Sequence, residues 1–251
     1  MNIVIIGSGN VAASLGRRFV SAGHRIVQVL SRNPKAASEL AYEWDTESAN
    51  YISLVNKEAD VYIIAVSDDA IEEVVKDLQL PGKVVAHTAA SVRKEVLQGV
   101  TENYGVFYPL QSLRKEIETP QIPVYTEGAT PKAKTGLTTL AQSVYHHPPK
   151  EADYDKRVKL HVAAVIVNNF VNHIFYLAED YCKEEDINFE ELLPLITQTI
   201  ERLRLAPPSQ LQTGPAVRQD YATISKHEAL LENHPKLLRL YRFFSESISN
   251  K

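Results

Sequence analysis

Two hydrophobic rhythms divide the chain. From the N-terminus, short apolar runs rich in β-branched residues alternate with segments whose apolar positions recur at helical spacing. Ile3–Ile6, Arg25–Leu30, Asp60–Val66, Lys83–His87 and Tyr104–Tyr108 are the runs. Their continuous hydrophobicity predicts strands buried on both faces. Val11, Leu15, Phe19 and Val20 mark a helix over residues 11–22, and further helices are predicted over 34–48, 70–78, 92–97 and 130–142. Residues 49–59 are ambiguous, and Val144-Tyr145 reads as a short strand. Alternating strands and helices imply a mostly parallel, doubly wound α/β sheet.

The rhythm changes at Pro148-Pro149. The charged stretch from Lys150 to Arg157 reads as a junction, and strand signals end there. Helices are predicted over 153–183, over 188–205 after a cap-like Asn188, and over 216–232 and 234–249. The expected organisation is an N-terminal Rossmann domain over residues 1–150 and an all-α domain over 151–251.

The first βαβ unit carries the clearest chemistry. Gly7, Gly9 and Ala12 fall in the pattern G-x-G-x-x-A between a strand and a helix. Gly7 permits the tight turn, Gly9 lets a pyrophosphate approach the backbone, and Ala12 keeps the helix near the sheet. Phosphates then sit on the free N–H groups and positive end of the helix. The expected contacts are Gly7, Ser8, Gly9, Asn10 and Val11. At the end of the second strand, where an NAD site places a carboxylate, the chain has Ser31-Arg32-Asn33. A hydroxyl and a guanidinium donate to a 2′-phosphate that a carboxylate would repel, so the expected cofactor is NADP. The same residues also read as a polar turn before Pro34.

Ligands of open α/β sheets lie at the carboxyl ends of the strands. That rule adds Val66, Ser67 and Asp68 near the cofactor, and His87 to Ser91 and Tyr108 to Ser112 on the same rim. Ser67 to Asp69 also suit a helix cap, Asp69 best. His87 is a candidate acid/base, or a buried histidine bonded to backbone. Tyr108, Gln111 and Ser112 offer donors, or are turn chemistry around Pro109. In the long helix, His161, Asn168, Asn169, Asn172 and His173 interrupt an apolar run. His161, Asn168 and Asn172 share one face of an α-helix. A third polar set is Thr213-Gly214-Pro215 with Arg218, Gln219, Asp220 and His227, where Arg218 is an anion handle or part of a surface pair with Asp220. No His/Cys/carboxylate spacing suggests a metal site.

Composition narrows the classes. Of 251 residues, 44% are hydrophobic and 23% charged, with net charge −4, so neither nucleic acid nor an anionic membrane is an expected partner. The longest uninterrupted apolar stretches are a few residues, short of a span. The start lacks a basic leader, and the single cysteine, Cys182, cannot form an internal disulfide. Both features point to the cytoplasm.

The segments GSGNVAASL, AVSDDAI, VVAHTAAS, VFYPLQSL, NNFVNH and QTGPAVRQD, with the Ser31-Arg32-Asn33 turn, resemble a bacterial family of Rossmann-like NADP oxidoreductases with a C-terminal helical domain of unknown function. More distantly the chain is similar to pyrroline-5-carboxylate reductase, ketopantoate reductase and the β-hydroxyacid dehydrogenases. The resemblance implies a hydride transfer between NADP(H) and a small carbonyl, imine or hydroxy acid in an interdomain cleft, and a homodimer through the C-terminal helices. The β-hydroxyacid dehydrogenases use a helical lysine four residues before an asparagine; counting back from Asn168 and Asn169 gives Ala164 and Val165. His87, His161 and Asn168 are therefore the expected catalytic groups. The missing lysine also allows a second reading, an NADP-binding sensor or dimeric partner module without turnover. The fold further permits a deazaflavin-dependent enzyme.

Overall fold

The computed structural model describes residues 1–118, 122–144 and 148–250. Two compact units divide it, Met1–Asn168 and Asn169–Lys251. The first unit thus runs past the expected boundary at residue 150, into the long helix.

The first unit is built on an eight-stranded sheet of order β3-β2-β1-β4-β5-β6-β7-β8. The strands are β1 (Asn2–Ile6), β2 (Arg25–Leu30), β3 (Glu47–Ala49), β4 (Val61–Ile64), β5 (Val84–His87), β6 (Asn103–Pro109), β7 (Val124–Gly128) and β8 (Lys150–Glu151). All pairs are parallel except β6 with β7. The order reverses at β1, which places a switch point between β1 and β4. Helices α1 (Asn10–Ser21), α2 (Pro34–Glu43), α3 (Ile71–Lys76) and α4 (Pro131–Val144) complete the layers.

Alternate residues of each strand point to opposite faces, and both faces are covered. On one, Ile3, Ile5, Val29, Ile63 and Phe107 pack with Leu15 and Phe19 of α1 and Leu137 and Leu140 of α4. On the other, Val4, Ile6, Tyr62, Ile64 and Val85 pack with Ile71 and Val74 of α3 and with Leu97. This explains the unbroken apolar runs of the sequence.

Several boundaries differ from expectation. α2 stops at Glu43, because Asp45 takes a positive φ of 48° and Glu47–Ala49 joins the sheet. The ambiguous stretch after it forms that strand and a 3₁₀ turn, Ile52–Leu54. Val144 is the last residue of α4, not a strand residue; Tyr145 lies outside the described residues. The stretch expected to be a junction contains β8 and a fully buried arginine, Arg157.

The long helix runs Tyr154–Glu184 as α5 (Tyr154–Ala164), a π-helical turn (Val165–Phe170) and α6 (Val171–Glu184). By length and composition alone it contains an 18-residue stretch, of mean hydropathy 1.4, apolar enough to cross a membrane. The short apolar runs of the sequence, separated by Asn168, Asn169 and His173, had suggested less. The second unit continues with α7 (Leu193–Arg202), α8 (Pro208–Leu211), α9 (Tyr221–Leu230) and α10 (Pro235–Ser249). Asn188 caps the 3₁₀ turn before α7 through Glu190 N. α9 starts later than expected, because Asp220 caps it through the backbone and hydroxyl of Thr223.

Candidate functional site

The glycine turn sits at the carboxyl end of β1, beside the switch point. Gly7 has φ +129°, and a Cβ there would lie 2.1 Å from the Ala65 carbonyl oxygen. The fold itself therefore requires Gly7. Gly9 is different: it has an ordinary φ of −82° as the N-cap of α1, and a Cβ there would meet no atom within 4 Å. Among the described residues nothing requires this glycine, so the space it leaves is open to a ligand. No side chain caps α1, so its first N–H groups keep their donors for such a ligand. Gly7, Ser8, Gly9, Asn10 and Val11 all line one cavity of about 1020 Å³. The Asn10 carboxamide oxygen accepts from Lys115 N at 3.3 Å, so this side chain is already engaged within the chain.

The same cavity is lined by Ser31, Arg32, Val66 and Ser67. Ser31 and Ser8 hydroxyls are 2.8 Å apart. Asn33 serves α2, its side chain accepting from Ala36 N with Pro34 next in the first turn. The turn reading of this segment thus holds for Asn33-Pro34 but leaves Arg32 exposed. Arg32 donates to Glu73, Nη1 to Oε2, at 2.6 Å. The residues present suit a 2′-phosphorylated dinucleotide: a cradle that a Cβ at Gly9 would fill, an uncapped helix end, and a hydroxyl and a guanidinium at the end of β2.

Along the rim, the expected catalytic residues differ in exposure: His87 is buried, whereas His161 and Asn168 are exposed. His87 is fully buried at the end of β5. Its Nδ1 accepts from Ala89 N at 3.2 Å, and Nε2 has no partner among the described residues. Burial, reinforced by the nearby positive charge of Arg157, pushes its pKa down to about 4. His87 is thus a neutral interior group. Asp68 accepts from the Ser91 hydroxyl. Neither Ser67 nor Asp69 caps a helix through its side chain: the 3₁₀ turn Asp68–Ala70 and α3 both lack one. Ser112 N donates to Gln111 Oε1 at 2.9 Å.

Tyr108, at the end of β6, reaches His161 of α5, with the hydroxyl 3.2 Å from Nδ1. Burial is the main cause holding the Tyr108 hydroxyl above its ordinary pKa; Arg157 opposes this, and Asp68 and Tyr125 add to it. Tyr108 is therefore a protonated donor across the neutral range. His161 itself is exposed. The pair joins residues far apart in sequence, which the helical spacing of His161 alone could not reveal.

Arg157 gave no signal in the sequence beyond one charge in a charged stretch. Its Nε donates to Ala90 O at 3.0 Å, Nη2 to Val92 O at 2.7 Å and Nη1 to Glu127 Oε2 at 2.7 Å. Glu127 also holds Lys94. This network fixes the segment after β5 that carries Ser91. Asn168 and Asn169 lie in the π-helical turn and are exposed. A π turn widens the helix, so the single face expected for His161, Asn168 and Asn172 does not carry through it. In the third polar set, Asp220 is a helix cap, Gly214 and Gln219 take positive φ, and His227 bonds Tyr241. Among the described residues no group of three metal-ligating side chains occurs.

Residues 2–91 match the family described as NADP oxidoreductase, coenzyme F420-dependent. Residues 122–248 match a domain of unknown function, DUF2520. The Bacteroides fragilis protein BF3122, assigned as an NADP oxidoreductase, is 34% identical over 100% of this chain and 98% of its own, with a TM-score of 0.89. The chain belongs to this family of NADP oxidoreductases. An imine reductase from Myxococcus stipitatus, solved with NADP+, is 15% identical with a TM-score of 0.66, covering 100% of this chain and 92% of its own. A 1-pyrroline-5-carboxylate reductase from Streptococcus pyogenes is 16% identical with a TM-score of 0.63, covering 100% and 99%. These two show the family's fold. No curated relative matches.

Proposed function

We propose that the chain binds NADP(H) on the Gly7–Val11 turn and transfers a hydride between it and a small carbonyl, imine or hydroxy-acid substrate. The open space over Gly9, on an uncapped helix end, carries this reading. The N–H groups of the first turn of α1 hold the pyrophosphate, and Ser31 and Arg32 hold the 2′-phosphate. The bound nicotinamide supplies the hydride chemistry. Tyr108 gives the proton to the substrate oxygen or nitrogen, and His161 restores it from solvent, which its exposure allows. His87 is assigned to holding the segment after β5 and not to proton transfer. Asn168 is left as a polar group near the substrate.

The protein is further proposed to work as a cytoplasmic homodimer, with neither membrane nor nucleic acid as partner. What supports the dimer is the second unit, which leaves Tyr176, Leu195, Ile200, Leu205 and Phe243 exposed. A second copy of the chain is the natural cover for such a surface.

A thermal-shift titration with NADPH, NADP, NADH and NAD tests the cofactor. Ligand that binds only the folded state raises the midpoint. A shift with the phosphorylated pair is expected; no shift with any of the four overturns the reading. With NADPH and a panel of keto acids and imines, Tyr108→Phe is expected to lower kcat about 10²-fold or more while leaving the NADPH shift intact. Full NADPH binding without turnover of any substrate would favour the sensor reading.

A further inference from the structure

Arg32 does not stand alone at the end of β2. Its Nη1 lies 2.6 Å from Glu73 Oε2, and both residues line the nucleotide cavity. Glu73 comes from the first turn of α3, and Asp77 lines the cavity four residues on. The cation expected to receive the 2′-phosphate is therefore already neutralised by a carboxylate, with a second carboxylate at the same end.

The two side chains are 70% and 66% exposed. Water screens such a pair, so it is weak. A phosphate dianion offers three acceptor oxygens to the planar guanidinium and competes well against one carboxylate. The displaced carboxylate stays within a few ångströms of the phosphate, where like charges repel. We propose that Glu73 is a built-in competitor for the 2′-phosphate and sets how strongly the site prefers NADP over NAD. This rests on the proposed use of Arg32. It implies a site tuned to moderate selectivity: the unphosphorylated cofactor leaves the Arg32–Glu73 pair intact, whereas the phosphorylated one must break it.

The test is direct binding, by fluorescence titration of NADPH and NADH and by calorimetry with 2′,5′-ADP and 5′-AMP. The variants are Glu73→Gln and Arg32→Gln. Glu73→Gln is expected to tighten NADPH and 2′,5′-ADP about 2- to 5-fold, the range of exposed ion pairs. NADH and 5′-AMP should remain unchanged. The gain should shrink in about 1 M salt, where screening acts over roughly 3 Å. Weaker NADPH binding in Glu73→Gln would make Glu73 an orienting residue for Arg32 and overturn the proposal, as would equal changes for both cofactors. The underlying assignment fails separately: an Arg32→Gln variant that binds NADPH as tightly as the parent removes Arg32 from the phosphate site whatever Glu73 does.

Discussion

The two compact units bury their hydrophobic residues very differently. In Met1–Asn168 the sheet is sandwiched, with Ile3, Ile5, Tyr62, Ile63 and Phe107 fully sequestered. In Asn169–Lys251 only Leu177, Cys182, Ala216, Ile224 and Leu231 are buried hydrophobics among the described residues. Yet α7 and α10 carry apolar stripes as clear as that of α1. A helix stripe requires a partner surface. The first unit provides one within the chain through its sheet, and the second unit does not. The contrast teaches that amphipathic helices identify what must be covered, not what covers it.

The strongest way to break the first unit should be through Arg157, which is fully buried. Arg157→Met strips Glu127 of its buried partner and leaves the carbonyls of Ala90 and Val92 without their donor. Losing one side of a buried ion pair costs about 3–5 kcal/mol, to be read as a lower urea midpoint at unchanged slope. A loss under about 1 kcal/mol would show that water replaces the guanidinium.

The two glycines of the turn should then separate fold from ligand. Gly7→Ala meets a backbone oxygen at a positive φ and should cost about 3 kcal/mol. Gly9→Ala meets nothing and should leave stability within about 0.5 kcal/mol while abolishing the NADPH-dependent thermal shift. Equal behaviour of the two would remove the ligand assignment of Gly9.

His87 supplies a pH test. Its folded pKa of about 4 lies below the ordinary value of 6.5, so the unfolded chain binds more protons between these values. Its contribution is complete above pH 6.5 and is lost as pH falls from there towards 4. It is worth at most about 3 kcal/mol. Urea midpoints measured across this window should fall less steeply in His87→Asn than in the parent. Identical slopes would mean that His87 titrates normally.

In the second unit, substitutions of exposed apolar residues should matter least for a single chain. Leu195→Glu and Leu205→Glu replace side chains that are 61% and 84% exposed, so stability at low concentration should shift by about 0.5 kcal/mol or less. Light scattering after size exclusion should nonetheless show a monomer where the parent is a dimer. A parent that is already monomeric sinks the dimer proposal.

Much of this was legible beforehand, for a local reason. A strand buried on both faces leaves a run such as Ile3–Ile6, and a glycine that must avoid Ala65 leaves an invariant requirement at one position. The long helix was legible from its apolar spacing, but its π turn at Val165–Phe170 was not, because no local preference marks the extra residue. Arg157 reads only as the end of a charged junction, since burial of a charge depends on partners that the chain supplies from Ala90, Val92 and Glu127.

By itself the sequence determined the alternation of elements, the glycine turn and the missing carboxylate at the end of β2. These depend on contacts between near neighbours and on residue type. Only the tertiary structure decided that Tyr108 meets His161, that Arg32 is already paired with Glu73, and that His87 is sealed inside. Such pairings come from strands and helices brought together by packing, and burial of a titratable group is a property of its surroundings rather than of its place in the chain.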